Sequence, residues 1–167
     1  MRIFIIGFMG SGKSHWGKIW AEESKMNYYD LDALIIAEEQ LSIEEIFEKK
    51  GEAYFRKIEA TVLRSTIEDE HCIVSCGGGT PCFVENMTWM NENGVTVYLK
   101  GESVWLLQNM SEEIHHRPLF KNIDQSEILT FIEEKIKERS VYYNEAQIVL
   151  PSAVQNKDTI WQILSTI

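Results

Sequence analysis

Residues 7–14 run Gly7-Phe8-Met9-Gly10-Ser11-Gly12-Lys13-Ser14, and this stretch leaves the chain few folds to choose from. An apolar run over residues 2–6 stands directly before it, and Lys13–Lys25 carries Trp16, Ile19 and Trp20 at helical spacing after it. The order predicted is a strand buried on both faces, a glycine turn, then a helix. Glycines let the backbone curl so that successive amides point at phosphate oxygens, and the helix N-terminus adds unpaired donors and partial positive charge. In that context Lys13 is placed for the β- and γ-phosphates of a nucleotide and the Ser14 hydroxyl for Mg²⁺. The plain alternative, a glycine turn that merely opens a helix, explains neither the lysine nor the serine.

The chain has 167 residues, 44% hydrophobic and 25% charged, which fits one domain with a sizeable core rather than disorder. No run approaches the ~18 to 20 apolar residues that span a bilayer, and the N-terminus lacks the pattern of a signal peptide. The formal charge is −10, from 26 acids against 16 bases, which argues against broad nucleic-acid binding. A small anionic ligand stays possible where a few cations share a cleft. Cys72, Cys76 and Cys82 form an odd set without a Cys-x-x-Cys pair, which points to a reducing cytoplasm.

Further strands are predicted at 27–30, 71–75, 95–99 and 148–150, and helices at 34–39, 83–92, 102–110, 126–143 and 157–166, with one more running from the Ser42 region to near Gly51 and another after it through Phe55, Ile58 and Val62. Ser42-Ile43-Glu44-Glu45 has the form of a capping box. Phe55, Ile58 and Val62 make the buried stripe of the helix that follows Gly51. Strands alternating with helices define an α/β domain around a mostly parallel sheet.

Asp30 and Asp32 stand at the end of the second strand, where open α/β sheets bind their ligands. If the chain is still extended there, both carboxylates face one way, one for a metal-bound water and one for a substrate hydroxyl. The structural alternative has Asp32 as an N-cap. Gly77-Gly78-Gly79 after an apolar strand marks either a flexible turn or a backbone approached closely by something else. Arg56, with Glu59 one turn away, Arg117 in the polar stretch 111–124, and Arg139 are the cations that an acidic chain handling anions needs. Taken singly, each arginine is an ordinary surface residue. His115-His116 lacks the company of a metal site, His15 and the tryptophans at 16, 20, 89, 105 and 161 read as packing, and Cys72 and Cys76 as small buried hydrophobes.

The ordered set resembles the shikimate kinase family: residues 7–14, Asp30-Leu31-Asp32, Ser42…Glu45-Ile46-Phe47, Gly51-Glu52, Phe55-Arg56…Glu59, Gly77-Gly78-Gly79, Arg117-Pro118-Leu119, and Arg139 with Tyr142-Tyr143. The resemblance implies a three-layer phosphate-loop kinase fold around a five-stranded parallel sheet. It gives one domain over 1–167, an acceptor-binding region at about 31–62 and a lid at about 111–124. The implied reaction is Mg²⁺-dependent transfer of the ATP γ-phosphate to the shikimate 3-hydroxyl, in aromatic amino acid biosynthesis, by a cytoplasmic monomer with no nucleic-acid or membrane partner. The residues carried over for the nucleotide are Gly10, Ser11, Gly12, Lys13, Ser14, His15, Arg117 and Gln155, with Ser14 and Asp30 at the metal. For shikimate they are Asp32, Arg56, Gly77, Gly78, Gly79 and Arg139, with Glu59 steering Arg56. Lys13, Asp32 and Arg117 are the catalytic set. The chain departs from the family pattern at His15, where threonine is common, and over 151–157, where a basic residue usually meets adenine. Competing readings are a gluconate or nucleoside monophosphate kinase, and a nucleotide-binding regulator without turnover.

Overall fold

The computed structural model describes residues 1–110, 118–120 and 123–166. In chain order the elements are β1 (Arg2–Ile6), α1 (Lys13–Ser24), β2 (Asn27–Asp30), α2 (Leu31–Glu39), α3 (Ile43–Lys50), α4 (Glu52–Ser65) and β3 (Cys72–Ser75). Then come α5 (Asn86–Asn93), β4 (Val95–Lys100), α6 (Ser103–Met110), α7 (Ile128–Tyr143), β5 (Ile148–Pro151) and α8 (Thr159–Thr166). The five strands form one parallel sheet in the order β2-β3-β1-β4-β5.

The central strand shows why helices must cover both faces. Ile3, Phe4, Ile5 and Ile6 are all fully buried. Phe4 and Ile6 join a core with Leu31, Leu63, Tyr98, Ile132 and Tyr143, while Ile3 and Ile5 join Trp20, Ala21, Ile160 and Ile163 on the other face. Period-two alternation thus divides one strand between two cores. Each such isoleucine contributes about 1.5–3 kcal/mol when fully buried.

Register gathers the functional ends. Asp30 pairs with Ser75, and Ser75 with Ile5, so the glycine loop, Asp30 and the triple glycine all leave the same edge of the sheet. That edge is the carboxyl end of the strands, where doubly wound sheets bind ligands.

Several element boundaries differ from the sequence expectation by one to three residues, and three have a clear local cause. Helix α2 starts at Leu31 rather than 34, because the Asp30 side chain accepts from the Ala33 amide and caps it. The chain is therefore already helical at Asp32, and neither the extended arrangement of the two aspartates nor an Asp32 cap occurs. Helix α5 starts at Asn86 rather than 83: Thr80–Cys82 form a 3-10 turn, and Val84 and Glu85 take φ of 52° and 55°. Strand β3 starts at Cys72, since the His71 amide donates to the Asp69 carboxylate. On α4 the stripe is Phe55, Glu59, Ala60, Val62 and Leu63, with Ile58 half-buried, so a carboxylate lies on the buried face.

Candidate active site

A cleft of about 1150 Å³ opens over the carboxyl edge of the sheet. Of the residues singled out from sequence, Gly10, Gly12, Lys13, Ser14, His15, Asp30, Asp32, Arg56, Glu59, Gly77, Gly78, Gly79 and Arg139 line it. Ser11 and Gln155 do not. Ser11 is fully buried behind the loop, and its hydroxyl has no hydrogen-bond partner among the described residues. The Gln155 amide donates to the Leu150 carbonyl at 3.3 Å, and its Oε1 lies 3.8 Å from where a Cβ on Gly12 would stand. Arg117, His115 and His116, with most of the expected lid, lie outside the described residues.

The loop owes its shape to positive φ at Gly10 (76°) and Gly12 (87°), the second being the N-cap of α1. A Cβ on Gly10 would stand 2.7 Å from the Leu106 carbonyl oxygen, so α6 closes one side of the loop. Asn109, also on α6, donates to the Gly10 carbonyl at 2.9 Å. Lys13 Nζ donates to the Phe8 carbonyl at 2.8 Å, which keeps the ammonium curled over the loop. Ser14 donates to Asp30 Oδ2 at 2.8 Å, and Ser75 donates to the Lys13 carbonyl at 2.9 Å. One hydroxyl and one carboxylate oxygen thus stand side by side just beyond the loop, a pairing suited to a hard cation.

The other half of the cleft is built on α4, α7 and the triple glycine. Arg56 Nη1 donates to Glu59 Oε2 at 2.9 Å, and its other nitrogens reach Glu52 at 3.2 and 3.3 Å. Glu59 is 1% exposed and also accepts from the Thr80 hydroxyl at 2.6 Å. Burial pushes its carboxyl up from the ordinary range, opposed by Arg56 and then by the Thr80 bond. Arg139 is 9% exposed and lies 5.6 Å from the centre of the Phe8 ring. Tyr143, stacked on Tyr98, donates to the Gly78 carbonyl at 2.5 Å.

None of the three consecutive glycines has positive φ; what they share is crowding. A Cβ on Gly77 would stand 3.2 Å from Glu59 Oε1 and 3.4 Å from Asp32 Oδ1. On Gly78 it would be 3.4 Å from Arg139 Nη1, and on Gly79 2.8 Å from Arg56 Nη2. The three residues are therefore the floor on which both arginines and Asp32 converge, as the close-approach reading of the motif requires.

Sequence reasoning missed Phe83, whose ring centre is 4.2 Å from the Arg56 guanidinium, and Asn109, the contact of α6 to the loop. It also took Trp16 and Trp105 as packing alone, whereas both line the cleft. No local pattern distinguishes a cleft aromatic from a core one; only the fold does.

A phosphate loop at the end of a central parallel strand, facing a pocket with two arginines and a carboxylate, defines a nucleotide-dependent small-molecule kinase of the α/β class. A family model for shikimate kinase matches residues 9–167. The chain belongs to that family. It is 41% identical over 149 residues to the shikimate kinase of Azobacteroides pseudotrichonymphae, covering 89% of this chain and 88% of the relative. It is 39% identical over 146 residues to that of Phocaeicola vulgatus, covering 87% and 83%. The crystal structure of shikimate kinase from Bacteroides thetaiotaomicron matches with a TM-score of 0.89 and 31% identity over 99% of this chain and 97% of that one. Shikimate kinase from Acinetobacter baumannii in complex with shikimate matches with a TM-score of 0.87 and 26% identity, over 99% and 91%.

Proposed function

We infer that this protein transfers the γ-phosphate of ATP to the 3-hydroxyl of shikimate, giving shikimate 3-phosphate and ADP in aromatic amino acid biosynthesis. The observation that carries the reading is the placement of Arg56 and Arg139 against Gly79 and Gly78, in the same cleft as Lys13. A small cyclic acid has a carboxylate for the arginines and hydroxyls for the glycine floor and Asp32, and arginine grips a carboxylate through two parallel bonds. A nucleotide acceptor would need a site for its base, and an open-chain acid makes no use of so closed a floor.

In this reading the whole chain is one kinase unit, with the acceptor region at about 31–62 and the lid at about 111–124. Gly10, Gly12, Lys13 and the amides opening α1 hold the phosphates, with His15 and Gln155 flanking and Ser11 beneath. Asp32, in the first turn of α2, accepts the hydrogen bond of the reacting hydroxyl and orients it in line. Arg56 and Arg139 hold the carboxylate, and Arg117 meets the transferring phosphoryl group from the lid. Phosphoryl transfer asks chiefly for placement and charge stabilisation, which this set supplies. Ser14 and Asp30 fit Mg²⁺, which supplies charge neutralisation between the phosphates. Among the described residues no group of three or more His, Cys, Asp or Glu side chains is placed to hold a metal, so such an ion would draw on phosphate and water for its remaining ligands. No described helix is long and apolar enough to cross a membrane, and the protein is read as a cytoplasmic monomer.

The test is ADP release with Mg²⁺-ATP in the presence and absence of shikimate, beside gluconate and nucleoside monophosphates. Stimulation by shikimate alone, lost on removing Mg²⁺, is expected. Asp32→Asn and Arg139→Ala should abolish that stimulation while the ATP dissociation constant stays close to wild type. Stimulation by another acceptor, or full turnover in both variants, overturns the assignment.

A further inference from the structure

Between the triple glycine and α5 the chain makes a turn that ordinary residues resist. Val84 and Glu85 sit consecutively in the left-handed region, at φ of 52° and 55°, and for β-branched Val84 this is an outlier. Such strain persists only where surrounding contacts over-determine it, and it clusters at functional sites. Here the contacts come from α4. Arg64 Nη2 donates to the Val84 carbonyl at 2.9 Å, while Nη1 donates to Asn86 Oδ1 at 2.8 Å and to the Ala60 carbonyl at 3.0 Å. Asn86 is fully buried and donates to the Thr80 carbonyl at 2.9 Å; its backbone amide donates to the Phe83 carbonyl at 3.0 Å.

The turn has one consequence inside the cleft. It places the Phe83 ring 4.2 Å from the Arg56 guanidinium, closer than Phe55 at 5.0 Å or Phe47 at 5.9 Å. Arg56 already directs three N–H groups at Glu52 and Glu59, leaving two of its five for a ligand. With its Cζ over the Phe83 ring, the guanidinium has a contact that limits where those two can point.

We propose that Arg64, which does not line the cleft, is a positioning residue for the acceptor: its bond to the Val84 carbonyl holds the Phe83 ring against the Arg56 guanidinium and so sets the direction in which Arg56 meets a carboxylate. The proposal deepens the acceptor reading above and rests on it. Arg56, Glu59, Thr80, Asn86, Arg64 and Phe83 then act as one closed set joining α4 to the turn.

The experiment compares Arg64→Lys, Phe83→Leu and the double variant. Lysine keeps the charge but cannot fork between Val84 and Asn86, and leucine removes the ring at a cleft wall where folding is not at stake. Each single variant should raise KM for shikimate by about three- to tenfold, the range expected for losing one cation–π contact, with a much smaller change in kcat. In Arg64→Lys the ATP dissociation constant should stay at the wild-type value. The double variant should be no worse than Phe83→Leu, since Arg64 acts through the ring, and Phe83→Tyr should restore KM. A second readout needs no acceptor: the NMR resonances of the Arg56 δ-methylene and Nε–H should show a ring-current shift in wild type, lost in Phe83→Leu and reduced in Arg64→Lys. Unchanged KM and unchanged Arg56 resonances in Arg64→Lys, or effects that multiply in the double variant, overturn the proposal. If shikimate fails to stimulate the wild-type enzyme, the acceptor reading falls alone, and the Arg56 resonances in Arg64→Lys decide whether the positioning stands.

Discussion

Gly79 separates two demands that glycine can answer. Its φ of −97° suits any residue, so alanine there meets no backbone resistance; the missing Cβ matters because Arg56 Nη2 occupies its space at 2.8 Å. Gly79→Ala is therefore expected to push Arg56 from its place while leaving the thermal midpoint within a few degrees of wild type. Loss of a charge-assisted bond to the acceptor costs about 1.5–3 kcal/mol, or roughly 10- to 100-fold in KM for shikimate. ATP binding followed by nucleotide fluorescence should not change. Gly10→Ala is the contrasting case, since φ of 76° and a carbonyl at 2.7 Å oppose the side chain together, and folding itself should suffer. The run of three glycines left a flexible turn and close approach both open, and the structure shows crowding at all three. Which group approaches each one was not legible, because Arg56, Arg139, Glu59 and Asp32 come from three other helices.

Helix α3 shows how far local chemistry specifies an element. Ser42 accepts from the Glu45 amide at 3.1 Å while Glu45 accepts from the Ser42 amide at 2.9 Å, and Lys49 adds a contact at 2.9 Å. Both halves of the predicted capping box are present, and Gly51 ends the helix where expected. The backbone bond from Ser42 first, then Lys49, holds the Glu45 carboxyl down at about 2, against an ordinary value of 4.5. A depressed carboxylate adds stability that is complete above the unfolded value and is lost as pH falls from about 4.5 through about 2. Ser42→Ala should cost about 1 kcal/mol in urea unfolding at neutral pH, and most of that gap should persist across the acid window, because the residue-42 amide and Lys49, which hold Glu45 down, both remain. Asp30 caps by the same logic one helix earlier, yet there the sequence reading placed the start three residues late. Either aspartate suits an N-cap, and the register of β2 against β3 chose Asp30 by ending the strand opposite Ser75.

For the molecule as a whole, the parallel sheet closes two cores and leaves two of its three thiols inside one of them. Cys72 and Cys76 are buried in the larger core, and all three cysteines are free. Desolvation raises the Cys72 and Cys82 thiols to about 11 and drives Cys76 higher still. Thiolate is the reactive form, so at pH 8 all three should react slowly with an aromatic disulfide reagent. Cys82 lines the cleft and should react first, with shikimate protecting it. Cys72 and Cys76 should be modified only through global opening, at rates that follow the unfolding free energy in urea. Fast modification of either core cysteine would show that the core opens locally instead.

What the sequence alone determined is what short-range forces decide: the buried strand before the glycine loop, the turn geometry of Gly10 and Gly12, the Ser42 cap and the alternation of strand and helix. Each depends on residues within four or five positions of one another, so spacing records it directly. Only the tertiary structure decided that Arg64 reaches Val84, that Phe83 covers Arg56, that Tyr143 holds Gly78 and that Ser11 and Gln155 lie behind the loop. Those contacts join residues on different elements and depend on strand register and helix packing, which act through summed burial over the whole core. No local spacing encodes a sum of that kind, so the acceptor half of the cleft took its final form only when α4, the glycine floor and α7 met.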